Sequence, residues 1–347
     1  MFFCDPPGST EPDALFNLGN DSIIENDFVF FHDQEPIHLE QHQPLFDEVE
    51  LRNRDLTYPM HLDYARSDVQ GHVVLSELGE NVDALVAKYG WQPHYYFYHG
   101  WACQDWYRGY DKTFLIKRAR DRQPTRTFMS PNRIVGGMRD HRVLFLYQVF
   151  KNNLQHNWVT APRICPYENT DISEIANKYC NIYPDIKQVL DSTILPITYP
   201  GEDTQEMTSC WLTNFNEAAD SLVYVPTETA YFGRRLHITE KTFKAIALEM
   251  PFVLVAPAGS LEYMRRYGFQ TFDSVFDESY DLETDDVKRL EQVTQLLKDL
   301  DSMTPEERLK IHQACLPIVE YNFNHFYNGG LTDVLWTELL DMLKGLE

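Results

Sequence analysis

The part of this sequence best suited to binding an anion surrounds Thr239. The chain carries 53 acidic against 30 basic residues, yet four cations lie here within eleven positions: Arg234, Arg235, Lys241 and Lys244. Thr239 is predicted to cap the N-terminus of a helix, and lysines near a helix N-terminus oppose the helix dipole. A helix start with added cations is typical of a phosphate site. The alternative is a solvated helix start whose lysines face water.

A second concentration of positive charge precedes this segment. Residues 117–142 contain eight basic and two acidic side chains, whereas the formal net charge of the chain is −23. The basic ones are Lys117, Arg118, Arg120, Arg122, Arg126, Arg133, Arg139 and Arg142. The overall charge repels nucleic acid and anionic membranes at long range without forbidding a local contact. This segregation suits the binding of a compact anion in a cleft.

The elements that would position these cations follow from hydrophobic spacing. Residues 239–281 predict a helix, a buried strand, a glycine turn, a helix and a short strand. The apolar stripe of the first helix comprises Phe243, Ile246, Ala247 and Met250, at i, i+3, i+4 and i+7. Pro251 ends that helix, and the run PFVLVAP is typical of a fully buried strand. The segment is therefore predicted to pack as part of an α/β sheet.

A similar strand, turn and helix precede it. RTFMSPNR predicts a strand, GGMRDHR a glycine turn, and residues 143–154 a helix with Val143, Tyr147, Phe150 and Leu154 on one face. Residues 222–229 supply another strand. Strands that alternate with helices predict a parallel sheet, and ligands of such sheets bind beyond the carboxyl ends of the strands. The cations of both helix starts would then lie along one rim.

The rest of the chain suggests a second domain. Strands are predicted at 27–36, 72–79 and 94–100, with a helix from Asn81 to Tyr89 that stops at Gly90. The stretch 117–125 is the best candidate linker, and helical patterns follow at 287–301, 304–316 and 331–346. We predict an N-terminal domain over 1–124, a second domain over 125–330 and a C-terminal helix over 331–347.

These patterns resemble GT-B glycosyltransferases of the fucosyltransferase-like and exostosin-like group, and most of all the glycosyltransferase-like proteins of tailed phages. The resemblance rests on Glu240–Lys241 at a helix start, on Asn132–Arg133 at a strand end and on His141–Arg142 at the following helix. It covers 128–281 best and is weaker before 120, where DQEP, SELGEN and HGWACQDWY carry it. The implied fold is two Rossmann-like domains with a cleft between them. The resemblance makes 1–124 the acceptor-side domain and 125–330 the nucleotide-sugar donor domain, and it implies that the C-terminal helix over 331–347 packs back on the first domain.

The resemblance implies transfer of a sugar from a UDP- or GDP-linked donor to a hydroxyl acceptor. Glu240 is then expected to bind the ribose hydroxyls, and Lys241 the diphosphate. The expected donor-binding residues are Arg133, Arg139, Arg142, Glu228, Arg235, Glu240, Lys241 and Lys244. No metal is expected, because cations replace it in this group and the one D-x-D sequence, at 299–301, lies within a helical pattern. The nucleotide, the sugar and the oligomeric state stay open.

A catalytic base would come from the N-terminal domain. The candidates stand where a predicted strand passes into a loop, and they are unranked: Asp33, Glu35, Glu77 and His99. A retaining reaction would need none of them. The acceptor is a hydroxymethylated base of phage DNA, flipped out of the helix, or else a glycan or a small hydroxyl compound.

Two other functions compete with this one. His32, His38 and His42 could form the metal site of a hydrolase, although their order is not that of the zinc proteases. A nucleotide- or carbohydrate-binding protein that lacks catalysis is the third possibility. Six scattered cysteines predict reduced thiols, and the absence of a long apolar run or a secretory signal predicts a cytoplasmic protein, within the host cell if viral.

Overall fold

A computed structural model of the chain describes the side chains of residues 37, 43–44, 46–47, 71–107, 122–200 and 212–344, and the backbone alone of three short strands at 2–4, 15–17 and 28–31. The described residues form a mixed α/β structure. The chain divides into two compact units: Met1–Trp101 with Thr332–Glu347, and Ala102–Leu331. The boundary predicted near residue 124 thus falls at 101, and residues 332–347 group with the first unit.

The strands in chain order are β1 (Phe2–Cys4), β2 (Leu15–Asn17), β3 (Phe28–Phe31), β4 (Gly71–Leu75), β5 (Leu78–Gly79), β6 (Gln92–Tyr95), β7 (Arg126–Ser130), β8 (Trp158–Val159), β9 (Ile164–Cys165), β10 (Thr170–Asp171), β11 (Ser221–Tyr224) and β12 (Arg235–Leu236). The helices are α1 (Glu80–Tyr89), α2 (Tyr98–Tyr107), α3 (His141–Lys151), α4 (Ile172–Ile175), α5 (Ile186–Ser192), α6 (Phe215–Asp220), α7 (Glu240–Ala247), α8 (Ser260–Arg266), α9 (Asp286–Asp301), α10 (Pro305–Tyr327) and α11 (Gly330–Lys344). Short 3-10 turns occur at Gly137–Arg139, Ala176–Tyr179 and Ser279–Leu282.

The first unit contains a sheet of strand order β2–β1–β3–β4–β6, parallel except between β1 and β2. Helix α1 ends at Gly90, whose φ of 71° is the left-handed conformation that glycine adopts without steric cost. The last helix belongs to the core of this unit. Its Leu339, Met342 and Leu343 pack against buried Val74 and Tyr96.

The strand predicted at 94–100 is shorter than expected, and the difference has a tertiary cause. Only Gln92–Tyr95 form a strand, and helix α2 begins at Tyr98. The amide of Phe97 donates to the Glu338 carboxylate at 2.8 Å instead of to a neighbouring strand. Local sequence patterns contain no information about a hydrogen-bond partner 241 residues away. The aromatic run, taken alone, therefore favoured a strand.

The second unit is built on a parallel sheet in which β7 lies between β11 and β8. Residues 252–255 lie on the other side of β11, since parallel bridges join Tyr224 to Phe252 and Thr227 to Val255. Across the sheet the order is β8, β7, β11 and residues 252–255, which is 2-1-3-4 when the strands are numbered along the chain. The direction in which the chain adds strands therefore reverses between β7 and β11. Sheets of this kind bind ligands at such a switch point.

Burial explains the elements around the switch point. The predicted stripe on α7 is buried at Phe243, Ile246, Ala247 and Met250. Helix α3 is buried on all sides from His141 to Phe150, which marks a helix inside the fold. The run predicted as a buried strand at 251–257 is buried throughout, and it pairs with β11 and the residues after it through two isolated parallel bridges and through the amides of Val253 and Val255.

One local prediction was wrong and another was too short. The short strand expected to end the 239–281 segment is a set of turns, in which the buried Glu278 carboxylate accepts the amide of Phe272 at 2.7 Å. The helix expected over 304–316 continues to Tyr327, past Pro317. Burial of one face beyond the proline, at Ile318, Val319, Phe323 and Phe326, stabilises the longer helix.

Candidate functional site

A buried polar network joins the carboxyl ends of β7 and β11. Asn132 donates through Nδ2 to the carbonyl and hydroxyl of Ser130, both at 3.1 Å. Its Oδ1 accepts the Thr227 hydroxyl at 2.9 Å, and its amide donates to the Thr160 hydroxyl at 2.7 Å. All four residues are buried. Because these groups satisfy one another, the network holds the two strand ends at the switch point rigidly.

Glu228 joins this network to the start of α7. One carboxylate oxygen accepts the Thr239 hydroxyl at 2.6 Å and the Thr239 amide at 3.2 Å, and the other accepts the Thr242 hydroxyl at 2.6 Å. The side chain is fully buried. A carboxylate at a helix N-terminus is favourable. Glu228, which was expected to bind the donor, thus holds the helix start, and both of its oxygens are engaged there.

Thr239 caps α7, as predicted, since its hydroxyl accepts the amide of Lys241. The neighbouring pair Glu240 and Lys241 is joined by a 2.8 Å ion pair. The Lys241 ammonium also lies 3.2 Å from the Thr229 hydroxyl and 3.1 Å from that of Thr239. The Glu240 and Lys241 side chains remain 13 % and 24 % exposed, so both charged groups are held in place while part of each reaches solvent.

Lys244 lies in a different position along the helix than the sequence suggested. Helix α7 has eight residues, which places Lys244 in its last turn. A cation in the last turn interacts favourably with the helix dipole. The expectation that both lysines oppose the dipole is therefore wrong for Lys244, because it took the helix to be longer.

Arg142, at the start of α3, clamps two loops together. Its Nη1 donates to the Ile134 carbonyl at 2.7 Å, and its Nη2 donates to the carbonyls of Thr227 at 2.7 Å and Glu228 at 3.3 Å. Burial lowers the pKa of this guanidinium, as does the nearby charge of Arg139. The charges of Glu228 and Glu240 oppose that shift. Arg142 thus links the starts of α3 and α7 through backbone carbonyls.

His141 lies beside this clamp as a buried, neutral imidazole. Its ring stacks on Tyr231 with 4.9 Å between centroids and 11° between planes. Neither ring nitrogen makes a hydrogen bond of good geometry. Burial, followed by the charge of Arg142, lowers the pKa of His141 well below 6.5, while the backbone of Met138 and Glu228 opposes the shift. The phenol of Tyr231 also contacts a cation, since the Arg289 guanidinium lies 4.5 Å from its ring centroid.

The turn that leads into α3 consists of two glycines. Gly137 has a φ of +60°, and the backbone of Gly136 approaches the Glu168 carboxylate closely. The 3-10 turn Gly137–Arg139 follows, and the amide of Arg139 donates to the Gly136 carbonyl at 3.1 Å. The turn places Arg139 directly before the helix.

The remaining predicted donor residues lie in the same unit. Arg133 is exposed and directly follows Asn132, whereas Arg139 and Arg235 are half-buried. The charge of Arg139 acts on both His141 and Arg142. The structure therefore gathers Glu228, Glu240 and Lys241 with the start of α3 through a chain of direct contacts.

The catalytic candidates of the first unit are described only in part. Glu77 is buried, and its carboxylate accepts the Ile37 amide at 2.6 Å, while Asn81 donates to the Ile37 carbonyl at 2.7 Å. Glu77 thus holds a backbone segment in place. His99 is buried in the first turn of α2. Asp33 and Glu35 lie outside the described residues, as do the proposed metal ligands His32, His38 and His42.

Sequence reasoning missed several residues that the structure brings to this site. The hydroxyls of Thr239 and Thr242 flank a buried carboxylate, a pairing that a TxxT spacing before an apolar stripe could have suggested. The stacking of Tyr231 on His141 and the position of Glu168 against the glycine turn have no signal in the local sequence. Within the described residues no group of three or more His, Cys, Asp or Glu side chains could hold a metal ion.

No protein-family model matches the chain, and neither a curated protein nor a solved structure matches it significantly. Among the residues that the structure describes, no helix combines the length and the apolar character needed to cross a membrane. The arrangement described above is an α/β switch point with two helix starts, a buried Asn–Ser–Thr network, a Glu–Lys pair and a glycine turn. Such an arrangement can bind a phosphate-bearing ligand.

Proposed function

We propose that the chain is a glycosyltransferase of the GT-B type that transfers a sugar from a nucleotide-sugar donor to a hydroxyl acceptor. The observation that carries the proposal is the Glu240–Lys241 ion pair of 2.8 Å at the start of α7, beside the reversal of winding between β7 and β11. A ribose hydroxyl and a phosphate are the ligand groups that this pair suits. That the nucleotide carries a sugar is inferred from the resemblance to glycosyltransferases.

The chemistry requires charge stabilisation on the leaving group. The acceptor oxygen attacks the anomeric carbon, the bond from that carbon to the diphosphate breaks, and the nucleoside diphosphate leaves with the bonding electrons. Lys241 is proposed to stabilise the charge that develops on the diphosphate, and Arg139 is proposed to assist it. The acceptor proton passes to a base of the N-terminal unit or, in a retaining reaction, to the leaving group.

Arg142 is assigned a supporting role in this proposal. Its terminal nitrogens donate to the carbonyls of Ile134 and Thr227, so it positions the loops and acts on the phosphates through its charge. Glu228 likewise positions α7, because its carboxylate accepts hydrogen bonds from the hydroxyls of Thr239 and Thr242. The proposed donor contacts are therefore Glu240 and Lys241. The cations of the same unit are proposed to add positive charge, and they are Arg133, Arg139, Arg235 and Lys244.

A thermal-shift screen of the chelator-treated protein tests the proposal. UDP, GDP, CDP, dTDP and their sugars are added singly, and a ligand at about 100 times its dissociation constant should stabilise by about 2.7 kcal/mol, a shift of a few degrees. One nucleotide should raise the melting temperature of the wild type and of Lys310→Ala, which changes an exposed lysine of α10. The shift of Lys241→Ala should be about half as large, because a tenfold weaker affinity leaves about 1.4 kcal/mol of stabilisation at the same ligand concentration. No shift with any nucleotide would refute the proposal.

A nucleotide-binding protein without catalysis is the second candidate. It is favoured by the engagement of Glu77 with the backbone of Ile37 and of Glu228 with α7, since both carboxylates then serve the fold. This candidate gives the same thermal shift but no release of sugar from the donor. Assaying donor hydrolysis and transfer after the nucleotide is known separates the two.

The acceptor is proposed to be a hydroxymethylated DNA base or a glycan. Binding through DNA phosphates weakens steeply as salt increases, whereas glycan binding does not. A salt series of acceptor binding, performed with hydroxymethylated oligonucleotides and with glycans, therefore distinguishes the two acceptors.

A further inference from the structure

A short hairpin presents Glu168 to the glycine turn. Strands β9 and β10 pair antiparallel around residues 166–169, and the Asn169 amide closes this turn on the Cys165 carbonyl at 2.8 Å. Asn169 has a φ of 51°, which asparagine tolerates better than most residues. The base of the hairpin is tied by Arg163, which donates to Asp171 at 2.7 Å. Glu168 is thus carried on an ordered turn.

The Glu168 carboxylate lies directly against Gly136 and Gly137. A methyl group at Gly136 would collide with Glu168 Oε2, and one at Gly137 would lie 3.1 Å from Oε1. With the carboxylate in its present position, a side chain at Gly136 would therefore compete with it for the same space. The carboxylate therefore occupies a small space that the glycine turn creates at the entry to α3.

The surroundings of this space favour an anion. The first turn of α3 contains no acidic residue, and its N-cap Asp140 makes no capping hydrogen bond but pairs with Lys178 at 2.9 Å. Arg139 lies within the turn itself. Because the charge of Asp140 is paired with Lys178, this helix start can still attract an external negative charge.

A second feature of the same helix start indicates a ligand. His141 is fully buried, and among the described residues neither of its ring nitrogens makes a hydrogen bond of good geometry, although the backbone of Met138 and Glu228 lies beside the ring. The buried Nε of Arg142 makes no such bond within the described part of the chain either. Buried donors of this kind are costly to leave unpaired. These polar atoms lie on the two residues that directly follow the glycine turn and Asp140.

We propose that the Glu168 carboxylate occupies the phosphate position of the Gly136–Gly137 turn and competes there with the phosphate of a bound nucleotide. This inference rests on the function proposed above. A carboxylate carries oxygens and negative charge as a phosphate does, so both fit one position but exclude each other. Glu168 is exposed to solvent, and it can leave the turn without unfolding the hairpin. The nucleotide must displace it.

The test measures affinity for the nucleotide found by the thermal-shift screen and for inorganic pyrophosphate, by titration calorimetry. Glu168→Gln removes the charge and keeps the shape, and it should bind both ligands about fivefold more tightly than the wild type, the size of one exposed charge interaction. Glu174→Gln is the matched control. It removes a charge from exposed Glu174 of α4 and should leave both affinities unchanged.

Gly136→Ala tests the position itself. The φ of Gly136 is −103°, which any residue adopts, so the variant should fold. Its methyl group fills the space that Glu168 Oε2 approaches, and binding of both ligands should weaken about tenfold even when combined with Glu168→Gln.

The outcomes separate this inference from the proposed function. If the wild type binds a nucleotide and Glu168→Gln binds it equally or more weakly, the competition is refuted while nucleotide binding stands. If pyrophosphate alone binds and shows the predicted gain, the anion position stands and the nucleotide function fails. If neither ligand binds any variant, both proposals are overturned.

Discussion

Glu228 and Thr242 are joined by a 2.6 Å hydrogen bond across fourteen positions of the sequence. The carboxylate accepts a second bond of 2.6 Å from the Thr239 hydroxyl, and its side chain is fully buried. Glu228→Ala leaves these hydroxyls without an acceptor, and we expect it to lower the free energy of unfolding by about 2–4 kcal/mol. Urea denaturation measures this as a lower midpoint with an unchanged slope.

The control for this prediction keeps an acceptor at the same place. Glu228→Gln retains one carbonyl oxygen and should lose about half as much stability as Glu228→Ala. Equal midpoints for wild type and Glu228→Ala would contradict the assignment of Glu228 as the residue that positions α7.

Replacing Arg142 should separate the two loops that it clamps. Arg142→Met removes the donors to the carbonyls of Ile134 and Thr227, both at 2.7 Å, and we expect a loss of about 3 kcal/mol because buried acceptors are left unpaired. Arg142→Lys should restore little of it, since one ammonium cannot reproduce the planar fork. The same denaturation experiment measures both, and full rescue by lysine would show that charge alone matters.

Acidification should weaken the fold through His141. Burial holds the pKa of this imidazole well below 6.5 in the folded protein, whereas the unfolded chain takes up the proton near 6.5. The unfolded state therefore binds more protons as the pH falls below 6.5. The contribution to stability is complete above that value and declines by up to about 1.4 kcal/mol per pH unit below it.

His141→Phe provides the comparison for this pH dependence. Phenylalanine keeps the aromatic contact with Tyr231 and removes the titration. Stability measured by urea denaturation from pH 7.5 to pH 5 should fall less steeply in the variant than in the wild type. Parallel slopes in the two proteins would show that His141 takes up no proton on unfolding in this range.

Glu240 and Lys241 should bind different parts of a nucleotide, Glu240 the ribose and Lys241 the phosphates. Lys241→Ala removes the proposed phosphate contact and should weaken both pyrophosphate and nucleotide about tenfold. Glu240→Ala removes the negative charge 2.8 Å from the Lys241 ammonium. It should therefore strengthen pyrophosphate binding while weakening binding of the unphosphorylated nucleoside.

Titration of each variant with pyrophosphate, nucleoside and nucleotide measures this division. Arg139→Ala should behave as Lys241→Ala does, with a smaller loss, and Lys310→Ala should match the wild type. If Glu240→Ala and Lys241→Ala weaken the same ligand by the same factor, the two residues do not act on different parts of it.

Local patterns predicted many elements of the second unit correctly because those elements depend on neighbours in the sequence. The stripe from Phe243 to Met250 specifies a helix, and Thr239 caps it as its residue type requires. The apolar run at 251–257 specified buried chain that pairs with the sheet for the same reason. Tertiary burial decided the less regular cases, such as the extension of α10 past Pro317.

The roles of the site residues depended on contacts that no local pattern contains. Residue types alone made Glu228 and Arg142 candidate ligand contacts, yet the fold uses the first to hold α7 and the second to bind carbonyls 8 and 85 residues away. Glu168 entered the site only through the hairpin that carries it to Gly136.

The sequence by itself determined the helices and strands that flank the site and the charged residues that the site contains. Only the tertiary structure decided which of those charges are bonded to the protein and which keep contact with solvent. The physical reason is that hydrophobic spacing and capping act over a few residues, whereas hydrogen-bond partners are set by the order of strands in the sheet. That order brings Asn132, Thr227 and Thr239 together from distant parts of the chain.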